Sequence, residues 1–567
     1  MSLDRRLHPL NLGLEWARGG LIAMATQAEN TKADFDVIGV GAGFAGLGLI
    51  HYAREAGLSI RVFDKASDIG GTWTWNRYPG AASDSECYYY CLTFSKELLQ
   101  EWKWSVRYPG WEENLRYMHF VADRCNMWPH ITLNTKIVGA DFQESTGLWL
   151  VRTDKGERFT CRYFVSAMGM ISEPVIPDFK GMKSFKGPCF HSARWPQEGL
   201  DYAGKRIAII GSGATTVQML PVVAETAAQV TVFQRTANFV MPAVQKPITP
   251  EWDKEIKANY DQIIQKCRNH SFGMAFDSPV GRNLADTPPE EVEKILEEHW
   301  PRGSFRFVFE TFDDLVVNAE SNRIVGDFII RKTVSKVKDP ETREMLKPKG
   351  YPFFAKRPPL DHGYFEAFNR DNVKLVDIKD REPIVEITET GIRTTKNHYE
   401  FDIIVLATGF QAYTGAQEAL PIRGQQGVLL KDKWKEVSSS IMGVFVSGFP
   451  NLFMITGPQA PFANLPTSIE QNIKYIVDCI QKMEKEGFTL CAPKADAEEA
   501  WVAHTADIHR QTLMAQGDKV HSWMMGANLK DRNPRVLIYF GGANNYYDKL
   551  RDSANSGFPE VEFRRGA

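Results

Sequence analysis

The chain contains no run of about 18 or more apolar residues, so nothing in it reads as a membrane span. Its net charge is only −3, from 67 basic and 70 acidic residues, which gives no footing for nucleic acid or an anionic membrane surface. Cysteine pairs at CxxC spacing are missing. The eight cysteines (Cys87, Cys91, Cys125, Cys161, Cys189, Cys267, Cys479 and Cys491) are scattered, and Cys87 and Cys91 have no second pair with which to complete a zinc site. We read them as reduced thiols of a cytoplasmic protein with no bound metal. Residues 10–24 are mildly apolar, but Glu15, Arg18 and the shortness of the stretch argue against a signal peptide. Residues 1–32 read as a poorly ordered leader, with Met24 a candidate natural start.

At 567 residues the chain is too long for one hydrophobic core, and two or three domains are expected. A β-like run over 35–40 leads into Gly41-Ala42-Gly43-Phe44-Ala45-Gly46. A helical stretch follows to about Glu55, Gly57 caps it, and a second strand over 59–63 ends at Asp64. The pattern recurs: a strand over 206–210, the turn Gly211-Ser212-Gly213-Ala214-Thr215-Thr216, a helix over 217–224, and a strand over 229–233 ending at Gln234-Arg235. Residues 249–337 break the rhythm with Glu-, Lys- and Asp-rich helical spacing. The sheet pattern resumes at 373–376 and 401–409. The expected fold is α/β, with two Rossmann-like dinucleotide-binding domains and a helical insertion. One domain is built from 33–165 and 402–567, and the other from 166–401 with the insertion inside it.

A glycine-rich turn between strand and helix lets backbone N–H groups approach a pyrophosphate at the helix N-terminus, where side chains would block it. Gly41, Gly43 and Gly46 fit that role, and Asp64 stands where an acid can bind a ribose diol. The second unit offers Gly211, Gly213, Ala214, Thr215 and Thr216. Thr216 replaces the third glycine, so its helix is expected to pack slightly further out. Arg235 replaces the acid, with Thr236 beside it as a further cofactor contact. A guanidinium binds a 2′-phosphate that a carboxylate would repel. Two such units imply two redox cofactors, FAD at the first and NADPH at the second.

Residues 185–196 resemble the FxGxxxHxxxWP fingerprint of type I Baeyer–Villiger monooxygenases: Phe185, Gly187, His191, Trp195 and Pro196 fill its defined positions. Residues 70–80 are similar to the flavin segment GGxWxWNRYPG of that family, with Thr74 where the family has tyrosine. The resemblance extends over about 34–565, and the loops at 461–466 and 521–528 are similar to those of cyclohexanone monooxygenase-like members. It implies flavin contacts from Thr72, Trp73, Trp75 and Tyr90, an active-site aspartate at Asp84, a catalytic arginine at Arg357, and NADPH contacts from Lys356 and Trp523. It also implies a substrate pocket that includes Phe462 and Leu465.

The implied chemistry is oxygen insertion beside a ketone carbonyl. NADPH reduces the flavin, O2 adds to give a C4a-peroxyflavin, and its attack on the ketone yields an ester or lactone. Arginine suits such a site because it keeps its proton at all relevant pH. Asp84 is expected to orient Arg357. His191 is read as a hinge or packing residue in a tightly spaced segment rather than as a general base. Two other functions compete: a flavin N- or S-oxygenase, and a non-catalytic NADPH-sensing flavoprotein.

Overall fold

Two β-rich runs, Phe35–Val40 and Arg206–Ile210, lie inside two separate sheets in a computed structural model that describes residues 32–529 and 535–566. The leader expected over 1–32 falls, but for Lys32, outside the described residues. Runs of this kind need cover on both faces, which parallel strands flanked by helices supply.

The first sheet runs Ile422–Arg423, Ile137–Gln143, Leu148–Thr153, Arg158–Ser166, Phe35–Val40, Ile60–Phe63, Ile131–Thr132. Phe35–Val40 pairs in parallel on both sides, with Val37 opposite Ile60 and Tyr163. Arg158–Ser166 pairs antiparallel with Leu148–Thr153 through its first half. Through its second half it pairs parallel with Leu452–Met454, a strand that returns from far down the chain. The second sheet is parallel throughout: Val373–Asp377, Gln229–Gln234, Arg206–Ile210, Ile403–Leu406, Cys189–His191.

That order corrects one boundary. The chain was expected to return to the first domain at 402, yet Ile403 pairs with Ile207 and Leu406 with Ile210. It rejoins the first sheet only at Ile422–Arg423, opposite Ala140. A four-residue run buried throughout fits either sheet, so composition does not assign it. The fingerprint strand Cys189–His191 forms one edge of the second sheet.

Each glycine turn opens a helix: α1, Phe44–Glu55, and α2, Ala214–Val223. The long helix α3, Leu465–Glu486, lays its buried stripe of Ile469, Ile473, Ile476, Ile480 and Met483 toward the first domain. Gly48 of α1 admits it: a Cβ there would lie 2.8 Å from Ile473 Cδ1. The insertion is helical, with Pro250–Ala258, Tyr260–Asn269, Pro289–His299 and Ala319–Val334 as its main elements. Among the described residues no helix is long and apolar enough to cross a membrane.

Candidate active site

The two glycine turns are built alike. Gly41 has φ +111°, and a Cβ on it would stand 2.4 Å from Ala167 O, just past the neighbouring strand. Gly211 has φ +125°, and its Cβ would stand 2.2 Å from Ala407 O. Both positions therefore demand glycine. At the third position the turns diverge. A Cβ on Gly46 would lie 2.1 Å from Gly41 O, whereas Thr216 fits and donates its hydroxyl to Gly211 O at 2.9 Å.

The residues present fit two dinucleotides. Gly43 and Gly213 are the N-caps of α1 and α2, and neither gives its helix a side-chain cap, so the first N–H groups remain for an anion. A Cβ on Gly213 would meet nothing within 4 Å, so protein packing does not explain this glycine, whereas close approach of a pyrophosphate does.

Around the first turn the expected flavin contacts divide. Gly71 backs directly on Gly43, with a Cβ-to-Cα approach of 3.1 Å. This brings Thr72 and Trp73 to the turn. Trp73 and Phe44 meet Tyr90 edge-on at 5.8 and 5.3 Å. Trp75 lies instead between Lys65 and Arg194, whose charges stand 5.4 and 4.8 Å from its ring. Asp64 is buried and accepts hydrogen bonds from Ala42 N (2.7 Å) and Ala66 N (2.8 Å). It ties the turn together, and one lone-pair direction on each oxygen remains for a ribose hydroxyl. The Thr74 hydroxyl turns inward onto Ile69 O.

Arg357 and Asp84, 273 residues apart in sequence, form an ion pair. The Asp84 side chain is 6% exposed and that of Arg357 24%, so part of the Arg357 side chain remains accessible. Arg357 sits on a loop that the insertion holds rigid. Asn322 of helix Ala319–Val334 accepts from Phe353 N at 2.9 Å and donates to Phe353 O at 3.0 Å. Phe354 is buried in left-handed conformation, φ +73°, a strain that a bulky residue tolerates only where its surroundings over-determine it.

Lys356 is half-buried and Arg235 exposed, and among the described residues neither has a hydrogen bond or ion pair. Burial and the charge of Arg235 hold the Lys356 ammonium down at about 8. The charge of Arg235 reaches Lys356, so two unpaired cations share one neighbourhood, a setting that suits an anion. Thr236 is fixed beside them by its carbonyl, which accepts from Ser212 Oγ at 2.8 Å.

An aromatic lane leads toward Arg357. Trp523 meets Phe462 at 6.1 Å, Phe462 meets Phe272 at 5.7 Å, and Phe272 meets Phe354 at 6.2 Å. Leu465, at the start of α3, packs against the same buried cluster as Phe462 and Trp523. The loop carrying Trp523 presses on the arginine loop, since a Cβ on Gly517 would lie 2.6 Å from Ala355 O.

The fingerprint is a packing device. Gly187 is wedged against Asp402 O and the Phe185 ring, where a Cβ would lie at 2.3 and 2.9 Å. Trp195 packs edge-on against Phe190 at 5.3 Å, and Pro196 O accepts from Gly199 N at 3.1 Å. His191 is 2% exposed. Its Nδ1 accepts from Ala193 N at 3.1 Å, which leaves Nε2–H to donate to Gly409 O at 3.0 Å. With both nitrogens engaged and burial lowering its pKa to about 4, it has no proton to exchange near neutrality.

His270 is also buried, at about 4, with its Nε2 unpaired. Free imidazole titrates at about 6.5. The folded state therefore binds fewer protons than the unfolded state between the two values. The stability these residues lend is complete above about pH 6.5 and is lost as pH falls toward 4, by at most about 3 kcal/mol each. The melting temperature should drop steadily from pH 7 to about pH 5, and less steeply in His191→Gln. A flat profile over that range would contradict the burial of both imidazoles in their neutral forms.

Sequence reasoning missed two groups at the site. Gln218 of α2 donates to Asp84 Oδ1 at 3.4 Å. Glu86, 1% exposed, binds Arg107 and Arg306, each at 2.9 Å, and so ties the insertion to the segment that carries Asp84. Neither lies in a motif, and only spatial proximity exposes them.

The comparisons with known proteins agree with this geometry. A family model described as flavin-binding monooxygenase-like matches residues 35–277. The chain is 42% identical over 545 residues to a Baeyer–Villiger monooxygenase from Pseudooceanicola batsensis, covering 95% of this chain and 98% of that one. It is 40% identical over 533 residues to a phenazine N-monooxygenase from Lysobacter antibioticus, covering 94% and 97% of the two chains. Its structure is similar to that of cyclohexanone monooxygenase from Rhodococcus sp. Phi1 bound to NADP+, with a TM-score of 0.90 at 37% identity, covering 94% of this chain and 99% of that one. The chain belongs to the Baeyer–Villiger monooxygenases, FAD- and NADPH-dependent members of the flavin-binding monooxygenase-like family.

Proposed function

We propose that Arg357, oriented by Asp84, is the catalytic residue of oxygen insertion into a small-molecule ketone. The observation that carries this reading is the Arg357–Asp84 ion pair, which joins a loop of the second domain to the stretch that follows the flavin segment in the first. Bound FAD, reduced by NADPH, supplies the activated oxygen from O2. The chain's own residues do the rest. Arg357 presents a permanently charged N–H fork to the negative charge that collects on the attacked carbonyl oxygen. Asp84 fixes the direction of that fork. Phe462 and Leu465 give the ketone an apolar wall and keep water from the cleft, and Trp523, set against Phe462, is a contact for NADPH.

On this reading Lys356 and Arg235 hold the 2′-phosphate of NADPH. The α1 and α2 N-termini hold the two pyrophosphates, and Asp64 accepts from the ribose of FAD. Eight cysteines without a disulfide fit a reducing compartment, and cytoplasmic residence is part of the proposal. A screen of cyclic, linear and aryl ketones, with NADPH consumption and product identity as readouts, tests it. Ester or lactone from at least one class is expected, and oxidation of NADPH with no ester from any class would refute it.

Gly213 isolates the second turn. Gly213→Ala puts its methyl into space that the protein leaves open, so folding and FAD content should match wild type. Affinity for NADP+ should fall, by about 1–2 kcal/mol from obstructed contact with backbone N–H groups. Titration calorimetry measures this directly, and unchanged affinity would remove Gly213 from the pyrophosphate site.

A second reading is favoured by one relative. The phenazine N-monooxygenase is 40% identical over 94% of this chain, so oxygenation of an aromatic nitrogen belongs in the same screen. An N-oxide formed in preference to any ester would favour it.

A further inference from the structure

Beyond Thr216, α2 is apolar with one exception. Val217, Met219 and Leu220 are completely buried, and Gln218 between them is buried as well, at 4% exposure. A buried carboxamide costs stability unless its donors and acceptor are used, and leucine would pack there more simply. The Gln218 partners all lie in the first domain. Its Nε2 donates to Ala82 O at 3.0 Å and Asp84 Oδ1 at 3.4 Å, and its Oε1 accepts from Tyr78 OH at 2.7 Å. The backbone is pressed to the same place: a Cβ on Gly80, where φ is +81°, would lie 2.2 Å from Gln218 O. The other Asp84 oxygen takes Arg357.

Asp84 is thus held at one oxygen by the helix of the second dinucleotide turn and at the other by Arg357. Thr215, in that turn, is three residues from Gln218 on the same rigid helix. From this juxtaposition we propose that Gln218 is a positioning residue, through which the docking of α2 sets the Asp84–Arg357 pair. Its effect falls on oxygen transfer and not on flavin reduction. A neutral side chain suits the task because it orients the carboxylate without competing for the charge of Arg357. The inference rests on the role proposed above for Arg357.

The test uses the FAD-loaded enzyme with a ketone that it converts. Two quantities are measured: the rate of flavin reduction by NADPH in stopped flow, and ester formed per NADPH consumed, with hydrogen peroxide as the balance. Gln218→Leu should leave reduction within about twofold of wild type and lower ester per NADPH by about fivefold, the scale of one lost hydrogen bond. Tyr78→Phe frees the Gln218 carboxamide at its other end and should shift the same ratio in the same direction by less. This variant carries the test if Gln218→Leu does not retain FAD. An unchanged ratio overturns the proposal. So does a loss of reduction rate in proportion to ester, which would make Gln218 an NADPH-binding or merely structural residue. Arg357→Ala, run alongside, separates the two levels. If Arg357→Ala abolishes ester and the Gln218 ratio is unchanged, only this inference falls; if Arg357→Ala makes ester normally, both fall.

Discussion

Arg357→Ala should fold, bind FAD and bind NADPH, yet form almost no ester or lactone. Both glycine turns lie outside the loop it changes, and the main-chain contact from Asn238 Nδ2 to the Arg357 carbonyl survives truncation of the side chain. On the proposed role, what disappears is the charged donor to the attacked carbonyl oxygen. Removal of such a donor costs about 3–4 kcal/mol of transition-state stabilisation, or roughly two to three powers of ten in rate. NADPH oxidation that continues should end in hydrogen peroxide. The truncation also leaves the Asp84 side chain, 6% exposed, without its cation, so some loss of stability should accompany the loss of activity. Arg357→Lys should recover little, because one ammonium cannot reproduce a planar fork that spans Asp84 and a developing oxyanion. Chromatographic measurement of ester beside peroxide settles it, and ester formation near the wild-type rate in Arg357→Ala would remove this residue from the chemistry.

The second large effect is on coenzyme choice. Arg235→Ala should raise KM for NADPH by the equivalent of about 1.5–3 kcal/mol, the scale of a charge-assisted hydrogen bond, while KM for NADH changes little. Lys356 adds a pH signature. Its pKa in the free enzyme is about 8, held down by burial and then by Arg235. It is charged below that value and neutral above it, so KM for NADPH should rise as pH passes about 8, with no matching rise for NADH. In Arg235→Ala the neighbouring charge is gone and the inflection should move to higher pH. Equal changes for both coenzymes would show that neither cation reads the 2′-phosphate.

Local chemistry made much of this legible in advance. The strand–glycine–helix units announced themselves because positions such as Gly41 and Gly211 leave the chain no alternative residue: carbonyls of Ala167 and Ala407 occupy the space of a side chain. The tight spacing of Phe185, Gly187 and His191 has the same origin, in a packed edge strand. What escaped was set by distance along the chain. Gln218 reaches Asp84 across 134 residues, and Arg306 reaches Glu86 across 220. No periodicity encodes such meetings. The Ile403–Leu406 strand escaped differently, since a run buried on both faces carries no mark of its sheet. Asp64 was expected to serve a ribose, and the backbone N–H groups of Ala42 and Ala66 that it also holds could not be read from its place at a strand end.

The account's central claim is that this chain places one atom of O2 beside a ketone carbonyl. Wild-type enzyme loaded with FAD, given NADPH, isotopically labelled O2 and the ketone panel, should yield an ester or lactone carrying a single labelled oxygen, with one NADPH consumed for each product molecule. NADPH consumed wholly to hydrogen peroxide with every ketone, or label found only in the N-oxide of an added aromatic heterocycle, would contradict it.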